Sequence, residues 1–204
     1  RSSDLFKKYT DPEQFDRIVD YDSVSEMWQH SVVSDPDIVA IEDDGKRYTY
    51  AAIEEDVSRL RTIIKSDEDK ALRVGVYSPN SYDFVRAFLA VTTLGYTAVI
   101  LPAQLDAMTV FGCTMKYGLD AIIYHPSLQE NTAFTAEKRP DVTLISSDIQ
   151  GDTATEMGFP SGDTPCVIMF TGGTTGKSKG ALLTNAAVMQ GTVNGCYGYR
   201  DVFH

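Results

Sequence analysis

Apolar residues recur along this chain in two rhythms. Up to residue 70 the helical one dominates. Val24, Met27, Trp28 and Val32 share a face behind Ser23-Val24-Ser25-Glu26, which has capping-box spacing, and the pattern stops before Asp35-Pro36. Ile53, Val57, Leu60 and Ile64 form a second amphipathic face, with Thr49 placed to cap it. Between these helices, residues 38–41 and 47–50 flank Asp43-Asp44-Gly45 and read as a hairpin with the two aspartates at its tip. Residues 65–70 read as a charged turn.

From residue 71 short apolar strands alternate with helical stretches. Strands are expected at 73–77, 97–101, 121–124, 142–145 and 166–170. Helices are expected at 80–94, at 106–117 with Gly118 as the stop, and at 128–136, with a polar loop over 146–164. The alternation predicts an α/β fold, a mostly parallel sheet flanked by helices, prefaced by an N-terminal helix and β-hairpin. The preface is residues 1–70 and the sheet unit residues 71–204.

Charge narrows the function classes. Eighteen basic residues stand against 29 acidic ones, net −11, which argues against a general nucleic-acid binder. Between Pro140 and Tyr199 the basic residues are Lys177 and Lys179 alone, a local positive site. No apolar run is long enough to span a bilayer. Cys113, Cys166 and Cys196 are odd in number and widely spaced, as expected of reduced, buried thiols in a cytoplasmic protein.

The apolar strand ending at Phe170 runs into Thr171-Gly172-Gly173-Thr174-Thr175-Gly176-Lys177-Ser178-Lys179-Gly180. Glycines let backbone N–H groups converge on an anion, threonine hydroxyls add donors, and lysines neutralise charge. A Walker-type loop needs G-x-x-x-x-G-K-[ST] followed by a helix. Here Thr171 stands five residues before Gly176, and 180–183 reads as a short strand, with the next helix starting at Thr184-Asn185. Both features argue against a Walker site.

Thr171 to Gly180 closely resembles the phosphate loop of the adenylate-forming (AMP-binding) superfamily, written TSGTTGxPKG and followed by a short strand and then T-H or T-N. Three further segments are similar to that family and occur in its order: Arg47-Tyr48-Thr49-Tyr50 with its helix, Ser78-Pro79-Asn80-Ser81, and the strand from Leu94-Gly95-Tyr96 to Pro102. Gly172 replaces the usual Ser or Thr, Ser178 replaces Pro, and Asn185 stands where many relatives have His.

The resemblance implies an acyl-CoA synthetase-like ligase. A carboxylate attacks the α-phosphate of ATP with Mg2+, pyrophosphate leaves, and a thiol takes the acyl group from the adenylate. The acceptor would be coenzyme A or, alternatively, a carrier protein; a non-catalytic nucleotide-binding module is a third reading. The resemblance assigns phosphate binding to Thr171, Gly172, Gly173, Thr174, Thr175, Gly176, Lys177 and Lys179, with Lys179 stabilising the leaving pyrophosphate. It assigns no resident metal ligand. It also implies that residues 1–204 are the amino-terminal part of the large domain, lacking later motifs, inactive in isolation and prone to self-association.

Other residues read as structural. Trp28 is expected in the core, His30 and His125 as structural or solvated, Asp67-Glu68-Asp69 as a solvated loop, and Tyr197 and Tyr199 as core or pocket lining.

Overall fold

In the computed structural model, residues 21–66, 70–149, 151–171 and 179–198 are described. Helix α1 (Val24–Ser34) starts where the capping signal places it. The Ser23 hydroxyl accepts from the Glu26 N–H at 3.3 Å, and the Glu26 carboxylate accepts from the N–H of Asp22, one residue before the usual capping-box partner. Strands β1 (Val39–Asp43) and β2 (Lys46–Thr49) pair antiparallel. The turn between them is Asp44-Gly45, with φ of 48° and 72°, the left-handed pair that a two-residue hairpin requires. Asp43 therefore ends β1 instead of sharing the tip. Helix α2 (Tyr50–Ile64) follows, and Thr49 caps it by accepting from the Ala52 N–H.

The sheet then builds outward from its centre. Strand β3 (Arg73–Tyr77) is followed by α3 (Tyr82–Thr92) and β4 (Thr97–Leu101). Helix α4 (Ala107–Tyr117) ends on Gly118 at φ 61°, then β5 (Ala121–Tyr124) and a single 3-10 turn at Pro126–Leu128 lead to α5 (Gln129–Lys138). Strands β6 (Thr143–Ser146), β7 (Pro165–Thr171) and β8 (Lys179–Thr184) and helix α6 (Asn185–Gly198) complete the described chain. The strand order is β6-β5-β3-β4-β7-β8, parallel throughout except for the antiparallel β7–β8 pair. The expected α/β class and mostly parallel sheet are thus observed.

Helices cover both faces. On one side α1, α2 and α3 pack on Val74, Val76, Ala98, Ile123 and Ile145, so the first helices share a core with the sheet. On the other side Val110, Cys113 and Tyr117 of α4 meet Val99, Leu101, Ile122 and Ile168. This two-sided burial explains why the central strands read as unbroken apolar runs. Strand ends differ from the sequence expectation by a residue or so. Each ladder starts where a partner is available, and β6 begins at Thr143 because that residue pairs with Ala121.

Polar side chains join the layers. The Asp43 carboxylate accepts from the Tyr82 N–H at 2.8 Å and so ties the hairpin to the start of α3. The Tyr82 hydroxyl donates to Asp56, and burial, then that bond, hold the phenol well above its ordinary range. Arg61 is 1% exposed and pairs with Glu54. It also donates to Thr93 Oγ1 at 3.0 Å and to the Thr155 carbonyl at 2.8 Å. The Trp28 indole N–H donates to the same Glu54 at 2.7 Å, so the buried tryptophan carries a polar task as well as packing.

Candidate active site

Strand β7 is apolar because it is held between β4 and β8 and covered by side chains from both cores. Its carboxyl end lies at the same end of the sheet as those of β3, β4 and β5, where open α/β sheets carry their ligands. Thr171 is its last residue. Lys179, which is exposed, opens β8, and the two are register partners. The structure therefore brings the first and last of the expected phosphate-binding residues side by side, on adjacent strands. Gly172, Gly173, Thr174, Thr175, Gly176 and Lys177 lie outside the described residues, as does the side chain of Thr171. The chain continues past Lys179 as a strand and only then as a helix, the order that argued against a Walker site.

The base of this hairpin is tightly packed. Phe170 pairs with Gly180, one step inside the Thr171–Lys179 pair. A Cβ on Gly180 would lie 2.8 Å from Tyr117 Cε1 and 3.0 Å from Ile168 Cγ2, so only glycine lets β8 run this close to α4. Beside it a cleft of about 470 Å³ is walled mainly by Pro102, Leu105, Cys113, Tyr117 and Phe170, with Thr109 and Lys116 also on its lining. Cys113 is buried in that wall, and burial raises its thiol pKa; burial also pushes Cys166 up to about 11. Both thiols are thus the protonated, buried groups expected, while the Cys196 side chain lies outside the described residues.

Asn185 is 1% exposed, and its amide is engaged by backbone groups. Its Oδ1 accepts from the Val24 N–H and its Nδ2 donates to the Thr164 carbonyl, both at 3.2 Å, fastening α6 to α1 and to the approach to β7. Replacing Asn185 with Ala leaves the buried Val24 N–H without its acceptor, while the Thr164 carbonyl keeps its bond from the backbone N–H of residue 185, and is expected to cost about 1–3 kcal/mol. A lower urea midpoint with an unchanged slope would show this.

Sequence reasoning missed a second polar cluster, at the carboxyl ends of β5 and β6. Asp83 accepts from Ser147 Oγ at 3.0 Å and lies 3.7 Å from both His125 Nε2 and Arg86. The His125 Nδ1 accepts from the Ser127 N–H and caps the 3-10 turn. No sequence signal announces this group, because sheet order alone brings residues 83, 125 and 147 together. His30 sits exposed on α1, near Ser34. Among the described residues, no group of three or more His, Cys, Asp or Glu could hold a metal ion. Among them, too, no helix is long and apolar enough to cross a membrane. Residues 67–69 and Tyr199 lie outside the described residues, as does the side chain of Tyr197.

Known proteins share this fold. A model of the family of AMP-binding enzymes matches residues 28–203. A polyketide synthase–nonribosomal peptide synthetase, ffsA of Aspergillus flavipes, is 32% identical over 155 residues, covering 73% of this chain and 4% of that protein. A feruloyl-CoA synthase from Amycolatopsis is 26% identical over 161 residues, covering 78% of this chain and 33% of that one. The solved N-terminal subdomain of Klebsiella oxytoca NpsA, in complex with 3-hydroxyanthranilyl-AMSN, superposes with a TM-score of 0.65 at 19% identity, over 81% of this chain and 41% of that one. The chain thus spans only a small part of the curated relatives it matches. With the phosphate-loop sequence, the doubly covered parallel sheet and a family match over most of its length, the chain belongs to the AMP-binding, adenylate-forming enzymes.

Proposed function

We propose that the polypeptide containing this chain activates a carboxylic acid with MgATP, forming an acyl-adenylate and pyrophosphate and then passing the acyl group to a thiol. One observation carries the reading: a Gly/Thr/Lys segment of the family's type springs from the carboxyl end of a parallel strand, and its flanking residues Thr171 and Lys179 are ladder partners. In this role the backbone of Gly172, Gly173 and Gly176, with Thr171, Thr174 and Thr175, would donate to the β- and γ-phosphates. Lys179, helped by Lys177, would offset the charge that grows on the leaving pyrophosphate. This is positioning and electrostatic stabilisation without covalent chemistry by the chain. Mg2+ would arrive with the substrate nucleotide.

Two acceptors are supported by different relatives. Likeness to a feruloyl-CoA synthase favours coenzyme A. The higher identity to a hybrid polyketide–nonribosomal peptide synthetase favours the thiol of a carrier protein. When the polypeptide containing this chain is given MgATP, hydroxylamine and a panel of aryl, fatty and amino acids, a hydroxamate is expected from one acid class. A thioester from that acid is then expected with either coenzyme A or a thiol-bearing carrier protein. Absence of any hydroxamate despite ATP binding would favour a non-catalytic nucleotide-binding module.

A further inference from the structure

We propose that Tyr117 is a positioning residue for Lys179, its ring setting the spacing at the base of the β7–β8 hairpin and so the point from which the lysine leaves the sheet; the inference rests on the carboxylate-activating reading above. Tyr117 is buried at the end of α4, remote in sequence from the hairpin. Its ring meets Phe170 edge-on, with centroids 5.3 Å apart and planes at 65°. The same ring lies under Gly180, where a Cβ would come within 2.8 Å of Cε1 and 3.2 Å of the hydroxyl oxygen. Phe170 and Gly180 are partners across the ladder, so one aromatic side chain bears on both strands at a single rung.

The next rung is Thr171–Lys179. Successive residues of a strand face opposite sides, so Lys179 leaves on the face away from Tyr117. Val188 and Met189 of α6 pack on that opposite side, against the core that holds Val167 and Leu183. The ring is thus a backstop behind the rung from which the lysine departs. A charge-neutralising group tolerates little misplacement, since a shift of about 1 Å far from the chemistry can cost about 100-fold in rate. The Tyr117 hydroxyl is buried with no hydrogen-bond partner among the described residues, so the ring, and not the phenol, makes the contact that matters.

Five forms of the polypeptide containing this chain test this in carboxylate-dependent ATP–pyrophosphate exchange: the wild type, Gly180→Ala, Tyr117→Leu, the double variant, and Tyr117→Phe. In Gly180→Ala the added methyl must displace the strand. The expected result is a fall of at least about tenfold in kcat/KM for MgATP with the KM for the acid unchanged. Tyr117→Leu alone removes the ring that sets the spacing and is expected to lower the same parameter; in the double variant the methyl takes up space the ring has left, with Ile168 Cγ2 at 3.0 Å yielding slightly, and most of the Gly180→Ala loss returns. Tyr117→Phe keeps the ring, so its kinetics match the wild type, and its Tm is equal or higher because an unpaired buried hydroxyl is gone. Two results would overturn the proposal: Gly180→Ala lowering Tm alone, with MgATP kinetics intact well below Tm, or a double variant no better than Gly180→Ala. If the wild type shows no exchange with any acid, the ligase reading fails. The same variants are then compared by calorimetric MgATP affinity, where an unchanged Gly180→Ala overturns the role of Tyr117 and a weakened one restored in the double variant supports it.

Discussion

Replacing Lys179 with Ala is expected to slow adenylation at least about tenfold while leaving the fold intact, a modest share of what removing one preorganised charge-stabilising group costs. The lysine stands on the first rung of β8, opposite Thr171, and is exposed, so its loss opens no cavity. Burial therefore does not explain its place, and its proposed task is electrostatic. Pyrophosphate gains charge as the bond to the α-phosphate breaks, so a cation fixed nearby acts more strongly on the transition state than on bound ATP. The effect should accordingly appear in kcat more than in the KM for MgATP. Lys179→Arg keeps the charge but not its point geometry, and partial recovery is expected. Unchanged exchange in Lys179→Ala, at unchanged Tm, would remove this residue from the mechanism.

The largest expected loss of stability comes from Arg61→Ala. Arg61 is 1% exposed, and the side chain of its partner Glu54 is 19% exposed. Removing the arginine leaves a largely buried carboxylate with the Trp28 indole as its remaining hydrogen-bond donor in the network. It also strips the Thr155 carbonyl and Thr93 of their guanidinium donors. Breaking one side of a buried pair costs about 3–5 kcal/mol. In a chain of this size each kcal/mol moves Tm by roughly 2–4 °C. The replacement Arg61→Met/Glu54→Leu removes both charges at similar volume and should recover much of the loss. A double variant no more stable than Arg61→Ala would show that the lost bonds to Thr93 and Thr155, with the Trp28 indole now also without its acceptor, outweigh the uncompensated charge.

Periodicity read the elements well and their partners poorly. The spans 73–77, 97–101 and 121–124 are the strands seen, because central strands buried on both faces are written as apolar runs between breakers. Caps are equally legible at Ser23 and Thr49, since a cap and its donor lie three residues apart, whereas Asp106, read as the first helical residue, is the cap of α4. By contrast, Asp43 accepts from the first N–H of a helix that begins 39 residues later, and Arg61 bonds a carbonyl 94 residues away. A pattern of apolar positions tells which face is inside but not which distant polar group waits there. The same limit hid the task of Asn185 and the closeness of Tyr117 to Gly180. The phosphate loop is the opposite case: its chemistry is written in the order of its residues, and the structure adds the paired strands at its ends.

The central claim is carboxylate activation, and ATP–pyrophosphate exchange by the polypeptide containing this chain tests it most directly. The expected exchange requires MgATP, depends on one class of carboxylic acid, and falls in Lys179→Ala. Measurable ATP binding with no exchange, whatever acid is supplied, would contradict it.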